Sequence, residues 1–157
     1  MPRFQDCFPL DFEEKILRDK GEFVAHHGYR LAKYGAADPR SYLSTYEENI
    51  YNGRPYSEGN KKLKQAGTYS TSLFDNLEYL QYQKDFVWMP PPGAVIVEGT
   101  TEPSCGPSHI GPFREEEGQR TRHISWWIYK DTSPWKYFEE VKEVSIEENE
   151  EERREEE

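Results

Sequence analysis

The feature that most constrains this chain is its choice of apolar residues. Tyr, Trp and Phe number 23 of 157 residues, whereas Leu, Ile and Val number 21. Leu, Ile, Val and Phe together make 29 residues, under the roughly one-fifth share below which charged chains tend to stay disordered. Mean hydropathy is -1.02 and the formal charge is -10. Disordered chains are usually poor in aromatics, so neither simple class fits. Ordering costs roughly 1–2 kcal/mol of backbone entropy per residue, and few aliphatics are present to offset it. Tyr and Trp bring large amphipathic area at little rotamer cost and dominate interfaces. The composition therefore predicts a chain that orders along another protein's surface. The competing reading is an ordinary small α+β core, because Trp126, Trp127, Trp135 and Phe138 lie close enough in sequence to cluster.

The acidity is unevenly placed. From Glu139 to Glu157 eleven glutamates face Lys142, Arg153 and Arg154, a net of -8, and residues 1–138 carry only -2. A nearly neutral body argues against nucleic-acid binding, which needs a concentrated basic face. No apolar run exceeds about five residues, against the roughly 20 of a membrane span. Asp6, Asp11, Glu13 and Glu14 stand where a secretory signal would be apolar, so an intracellular protein with free Cys7 and Cys105 is expected.

Local signals divide the chain into segments. Residues 1–28 hold a short helix, with Asp11 and Glu14 in capping-box spacing. Residues 29–71 read as a Tyr-rich irregular arm, because Gly and Pro recur every few residues. In 72–92, Ser72 to Phe86 forms the best helix, with Leu73, Phe74, Leu77 and Leu80 at helical spacing, followed by the spacer Pro90–Pro92. Residues 93–132 are Gly/Pro-rich with short strands around Val95–Val97 and His123–Tyr129. A short helix over 133–146 starts at Pro134, and 147–157 is an acidic tail expected to be disordered. The expected fold is thus a mostly irregular, extended chain with about three short helices and little β-strand, not a compact layered domain.

Catalytic templates fail on this sequence. His26 and His27 are adjacent and cannot share a helical face as metal ligands, and Cys105 with His109 lacks two further ligands. Gly106-Pro107 and Gly111-Pro112 put proline where a phosphate loop needs an amide. No Gly-x-Ser-x-Gly or Ser-x-x-Lys occurs. The expectation is no enzyme, no metal, no cofactor and no small-molecule substrate. The one basic cluster, Lys61, Lys62 and Lys64, is flanked by Tyr56 and Tyr69 and suits an acidic surface.

Residues 41–56, Ser-Tyr-Leu-Ser-Thr-Tyr-Glu-Glu-Asn-Ile-Tyr-Asn-Gly-Arg-Pro-Tyr, resemble the short Ser/Thr-Thr-Tyr motif of ciliary microtubule inner proteins. Ser44, Thr45 and Tyr46 match its head and Tyr51 its second tyrosine, with Tyr69 in a partial second copy. The resemblance implies a structural protein of the cytoskeleton, lining the lumen of axonemal doublet microtubules in a cilium or flagellum and stabilising the lattice. Its partners would be tubulin protofilaments, with tektins or other inner proteins as neighbours. Tyr46, Tyr51 and Tyr56 would be anchors and Lys61, Lys62 and Lys64 would meet acidic tubulin, with Arg54, Trp126, Trp127 and Trp135 completing the partner-binding set. The alternative is an acidic accessory or adaptor subunit of another intracellular assembly, with the Glu-rich tail engaging a basic partner.

Overall fold

In the computed structural model, which describes residues 3–116 and 118–142, the chain builds a six-stranded antiparallel sheet in the order β4-β7-β2-β1-β3-β8. The strands are β1 (His27–Ala32), β2 (Thr71–Phe74), β3 (Val95–Thr100), β4 (Ser108–Ile110), β7 (His123–Trp126) and β8 (Phe138–Glu140). β5 (Arg114–Glu116) and β6 (Gln119–Thr121) form a separate hairpin. Two short helices, α1 (Thr45–Tyr51) and α2 (Leu77–Tyr82), join them with several single helical turns.

Strand alternation sorts the side chains. Ala32, Leu73, Val97, Ile124 and Trp126 pack on one face with Tyr42 and Phe138. Leu31 and Ile96, flanked by Tyr29 and Phe74, pack on the other under Leu80 of α2. A third cluster is almost wholly aromatic: Phe8, Phe12, Tyr69 and Trp127 interlock beside Leu17 and Ala66.

The expectation of an extended chain with little β-structure is therefore corrected: the fold is sheet-rich and self-contained. The rings themselves explain it. Tyr42, Tyr69, Tyr79, Trp126 and Trp127 are all buried, and each large ring contributes on the order of 3 kcal/mol of gross burial free energy. Their polar handles are satisfied, as when the Tyr69 hydroxyl donates to Leu63 O at 2.7 Å. Trp126 Nε1 donates to Gly106 O at 3.1 Å and Trp127 Nε1 to Ala66 O at 2.8 Å. Counting aliphatics undercounts such a core.

Local expectations shift for similar reasons. Ser72 is not a helix start: 71–74 is strand β2, with Leu73 paired to Ile124, and the helix begins only at Leu77, capped by Asn76. The arm over 29–71 contains β1 and α1. Pro134 opens one turn, Pro134–Tyr137, and Phe138–Glu140 then pairs with β3 instead of continuing a helix. The remainder of that expected helix from 143, and the acidic tail, lie outside the described residues. Gly106, at φ 140°, has no room for a Cβ against the carbonyl of Trp127. Among the described residues, no helix is long and apolar enough to cross a membrane.

Candidate functional site: a cleft where the central strands part

β1 and β3 share six register pairs, from His27↔Thr100 to Ala32↔Val95. β1 and β2 share one, Tyr29↔Phe74. The sheet is thus two three-stranded halves joined at a narrow seam, where Gly28 lets Leu73 and Ile124 approach within 3.0–3.3 Å of the position its Cβ would take. Beyond that seam the two strands are held by a side chain. Arg30 Nε donates to Ser41 O at 2.8 Å, Nη1 to Ser72 O at 2.8 Å, and Nη2 to Leu43 O at 3.3 Å and to Glu48 Oε1 at 3.2 Å. Guanidinium has five N–H donors in a rigid fork, so one residue ties β1, β2 and the loop before α1 together. Its side chain is only 11% exposed. Burial pulls its pKa down and the Glu48 carboxylate pushes back. It stays charged.

The parting opens as a cleft of about 820 Å³, within the size range of small-ligand pockets. Its polar lining residues are Arg30, Lys33, Thr45, Glu48, Asn52 and Ser72. Lys33 Nζ lies 3.4 Å from Glu48 Oε2, so two cations share one carboxylate. Ser72 Oγ and His123 Nε2 are hydrogen-bonded at 2.8 Å, and burial lowers the pKa of His123. The rest of the lining is largely apolar: Leu31, Leu43, Phe74, Leu80, Val87, Trp88, Met89 and two prolines, with Tyr34. The Phe74 and Trp88 rings are 6.4 Å apart. Trp88 is 43% and Met89 73% exposed. Met89 adopts a left-handed backbone, φ 43°, which ends the helical run Gln83–Trp88 and turns the chain into its prolines.

α1 carries Glu48 to the cleft because its start is firmly fixed. Ser44 Oγ accepts from Glu47 N at 3.1 Å, and Glu47 Oε1 accepts from Ser44 N at 3.2 Å, a reciprocal capping box. Burial raises the Glu47 pKa, opposed by its bonds to Ser44.

The structure separates the residues singled out in the sequence. Ser44 is a buried cap and Thr45 the exposed first residue of α1, at the cleft. Tyr46 is half-buried against Tyr69, Phe8 and Tyr56, at 4.9, 5.8 and 6.5 Å between ring centroids. As part of that cluster it is not a free anchor. Tyr69, its phenol pushed up to about 12 by burial, is interior, as are Trp126 and Trp127; none of the three can meet a partner while the domain is folded. Trp135 packs partly buried against the main core. Tyr51 is 52% exposed, its hydroxyl accepting from Arg40 Nη1 at 3.0 Å. Arg54, Lys61 and Lys62 are exposed and Tyr56 is half-buried.

Arg30, Lys33, Glu48, Phe74, Trp88 and Met89 escaped sequence reasoning. The signals were the alternation of Tyr29 and Leu31 around Arg30, and a Trp-Met pair left at a helix end before three prolines. Among the described residues, no group of three or more His, Cys, Asp or Glu side chains could hold a metal ion. No family model matches the chain, and no curated protein or solved structure matches it either.

Proposed function

We propose that this chain is a ligand-binding domain whose site is the cleft between β1 and β2. The observation that carries the reading is the cleft's mixed lining: an exposed indole and thioether share it with more cation than anion. Concave, mostly apolar sites with a few convergent polar groups are where small ligands bind. The chemistry suits a ligand with an apolar ring-bearing body and an anionic group. The body would lie on Trp88 and Met89. The anion would draw Lys33, which is 45% exposed and free to swing, away from Glu48, while Arg30 stays fixed by its three carbonyls. Anilinonaphthalene sulfonate has this chemistry and serves as the probe. Saturable one-to-one binding to the folded chain is expected, weakened about ten-fold, or ~1.4 kcal/mol, by Trp88→Ala and again by Lys33→Ala. Binding that does not saturate, or that ignores both substitutions, contradicts the proposal.

A second reading, attachment inside axonemal microtubules, rests on the resemblance of residues 41–56. It is favoured by the exposure of Tyr51, Arg54, Lys61 and Lys62, which leaves these side chains available for tubulin. The attachment surface would then be this exposed group on a folded domain. Tagged protein carrying Tyr51→Ala with Arg54→Ala should lose axonemal retention. Retention unchanged, or no axonemal signal from the wild type, removes this reading.

A further inference from the structure

A second depression, of about 550 Å³, lies apart from the cleft and is lined by Lys20, Lys64, Gln65, His109, Ser125 and Trp127, together with Ala66 and Gly67. Three segments bring these groups together, and each is anchored. His109 and Ser125 are register partners across β4 and β7, so their side chains stand next to each other on one face. The stretch from Lys64 to Gly67 is pinned from both sides, by Trp127 Nε1 donating to Ala66 O and by the Tyr69 hydroxyl donating to Leu63 O. Lys20 precedes a backbone bridge in which Glu22 N donates to Ser108 O at 2.7 Å and Ser108 N to Glu22 O at 2.9 Å. Gly21 there packs so closely on Pro107 that a Cβ would come within 2.7 Å.

The donors at this site are unspent. Lys15, Lys33, Arg40, Arg122 and Lys130 all have carboxylate partners. Among the described residues, Lys20, Lys64, His109 and Ser125 make no side-chain hydrogen bond or ion pair, and no carboxylate lines the depression. In a chain with 30 acids and 20 bases, the described residues thus bring two ammonium groups, a hydroxyl and an imidazole to one depression that none of their carboxylates lines. Charge-assisted hydrogen bonds to an oxyanion are the strong interactions such donors make.

The geometry points to a binding site for a phosphate-type oxyanion, of the kind a phosphate monoester carries. The two lysines would supply charge from two separate segments, and Ser125 and His109 the directional contacts from the sheet. The site uses one member of the Lys61–Lys64 cluster and leaves Lys61 and Lys62 outside.

The test is titration of the full chain with inorganic phosphate at constant ionic strength, read by calorimetry and by thermal melting, with chloride as the control ion. Saturable binding and a rise in Tm with phosphate alone are expected. Lys20→Ala with Lys64→Ala should weaken binding at least about ten-fold, and Ser125→Ala should weaken it by less. Lys61→Ala with Lys62→Ala, which removes the same charge from neighbouring positions, should change it less than about two-fold. Trp88→Ala should leave it unaltered, since the cleft is separate. No phosphate binding, an equal response to chloride, or equal losses in the two lysine pairs would each overturn the site. All four lysines are exposed, so the folded state of each variant is checked by its melt without phosphate.

Discussion

Two groups of aromatic residues in this protein meet opposite fates. In the knot, Phe4, Phe8, Phe12, Tyr46 and Tyr69 pack ring to ring at 4.9–6.3 Å, with Trp127 sealed at 2% exposure. In the ridge, Tyr82, Phe86 and Trp88 are 39%, 69% and 43% exposed. The residue types are the same. The difference lies in what surrounds them. The knot sits where the N-terminal turn, the 66–69 turn and the end of β7 converge, and backbone carbonyls of Leu63 and Ala66 accept from its Tyr69 and Trp127. The ridge follows α2 outward to a left-handed residue and three prolines, where its rings stay exposed among the described residues. Aromatic content alone thus reports neither core nor interface. The location of neighbouring carbonyls and strands decides.

The widest gap between the two groups should appear in stability. Trp127→Ala is expected to cost about 3–5 kcal/mol, as for other buried large-to-small changes, whereas Phe86→Ala should cost less than about 1 kcal/mol. Urea denaturation of both variants measures this, and similar losses would break the distinction. Next comes Arg30, which belongs to the cleft yet acts as a structural tie. Arg30→Met leaves three carbonyls without their donor and Glu48 with Lys33 alone, and should cost about 3 kcal/mol. In Glu48→Gln the added cost of Arg30→Met should shrink, because no carboxylate then loses its buried cation.

A smaller effect concerns how the β5–β6 hairpin is fastened. Asp75 accepts from Arg122 N at 2.6 Å, Arg122 Nε at 2.7 Å and Thr121 Oγ1 at 3.3 Å. Burial pushes its carboxyl up, but the Arg122 and Thr121 bonds outweigh burial and hold it below its ordinary value. A folded-state pKa below the unfolded one means that the unfolded chain binds the proton more readily. The stability from Asp75 is therefore present above about pH 4 and lost as pH falls through the folded value. Asp75→Asn should cost about 1–3 kcal/mol at neutral pH and flatten the acid limb of the stability curve. The smallest expected effect is at the α1 cap, where Ser44→Ala should cost about 1 kcal/mol and loosen the start of α1, which carries Glu48 to the cleft and Tyr46 to the edge of the knot.

Parts of this architecture are legible in the sequence and parts are not, for identifiable reasons. Val95–Val97 and the Ile- and Trp-rich stretch after His123 read as strands because β-branched and aromatic residues cluster there. β1 did not, because Gly28 and Arg30 interrupt its apolar residues; the glycine serves a close approach and the arginine ties carbonyls in three dimensions. The apolar residues at 73, 74, 77 and 80 fit a helical period even though the first two lie in a strand, an ambiguity that short apolar runs share. Ser44 and Glu47 carry a capping-box signature inside the segment that resembles the inner-protein motif, so one set of residues supports two readings. The cleft was invisible because Arg30, Glu48 and Trp88 are far apart in the chain and meet only where the sheet parts.

Whether this chain supplies its own core from its rings is decided by urea unfolding of the isolated protein, followed together by near-ultraviolet circular dichroism and tryptophan fluorescence. A native aromatic dichroism signal is expected, with one cooperative transition that coincides in both probes, from a folded state with a radius of gyration near 15 Å. A featureless aromatic spectrum with gradual, non-coincident changes would contradict it, and would return the chain to a form that orders only on a partner.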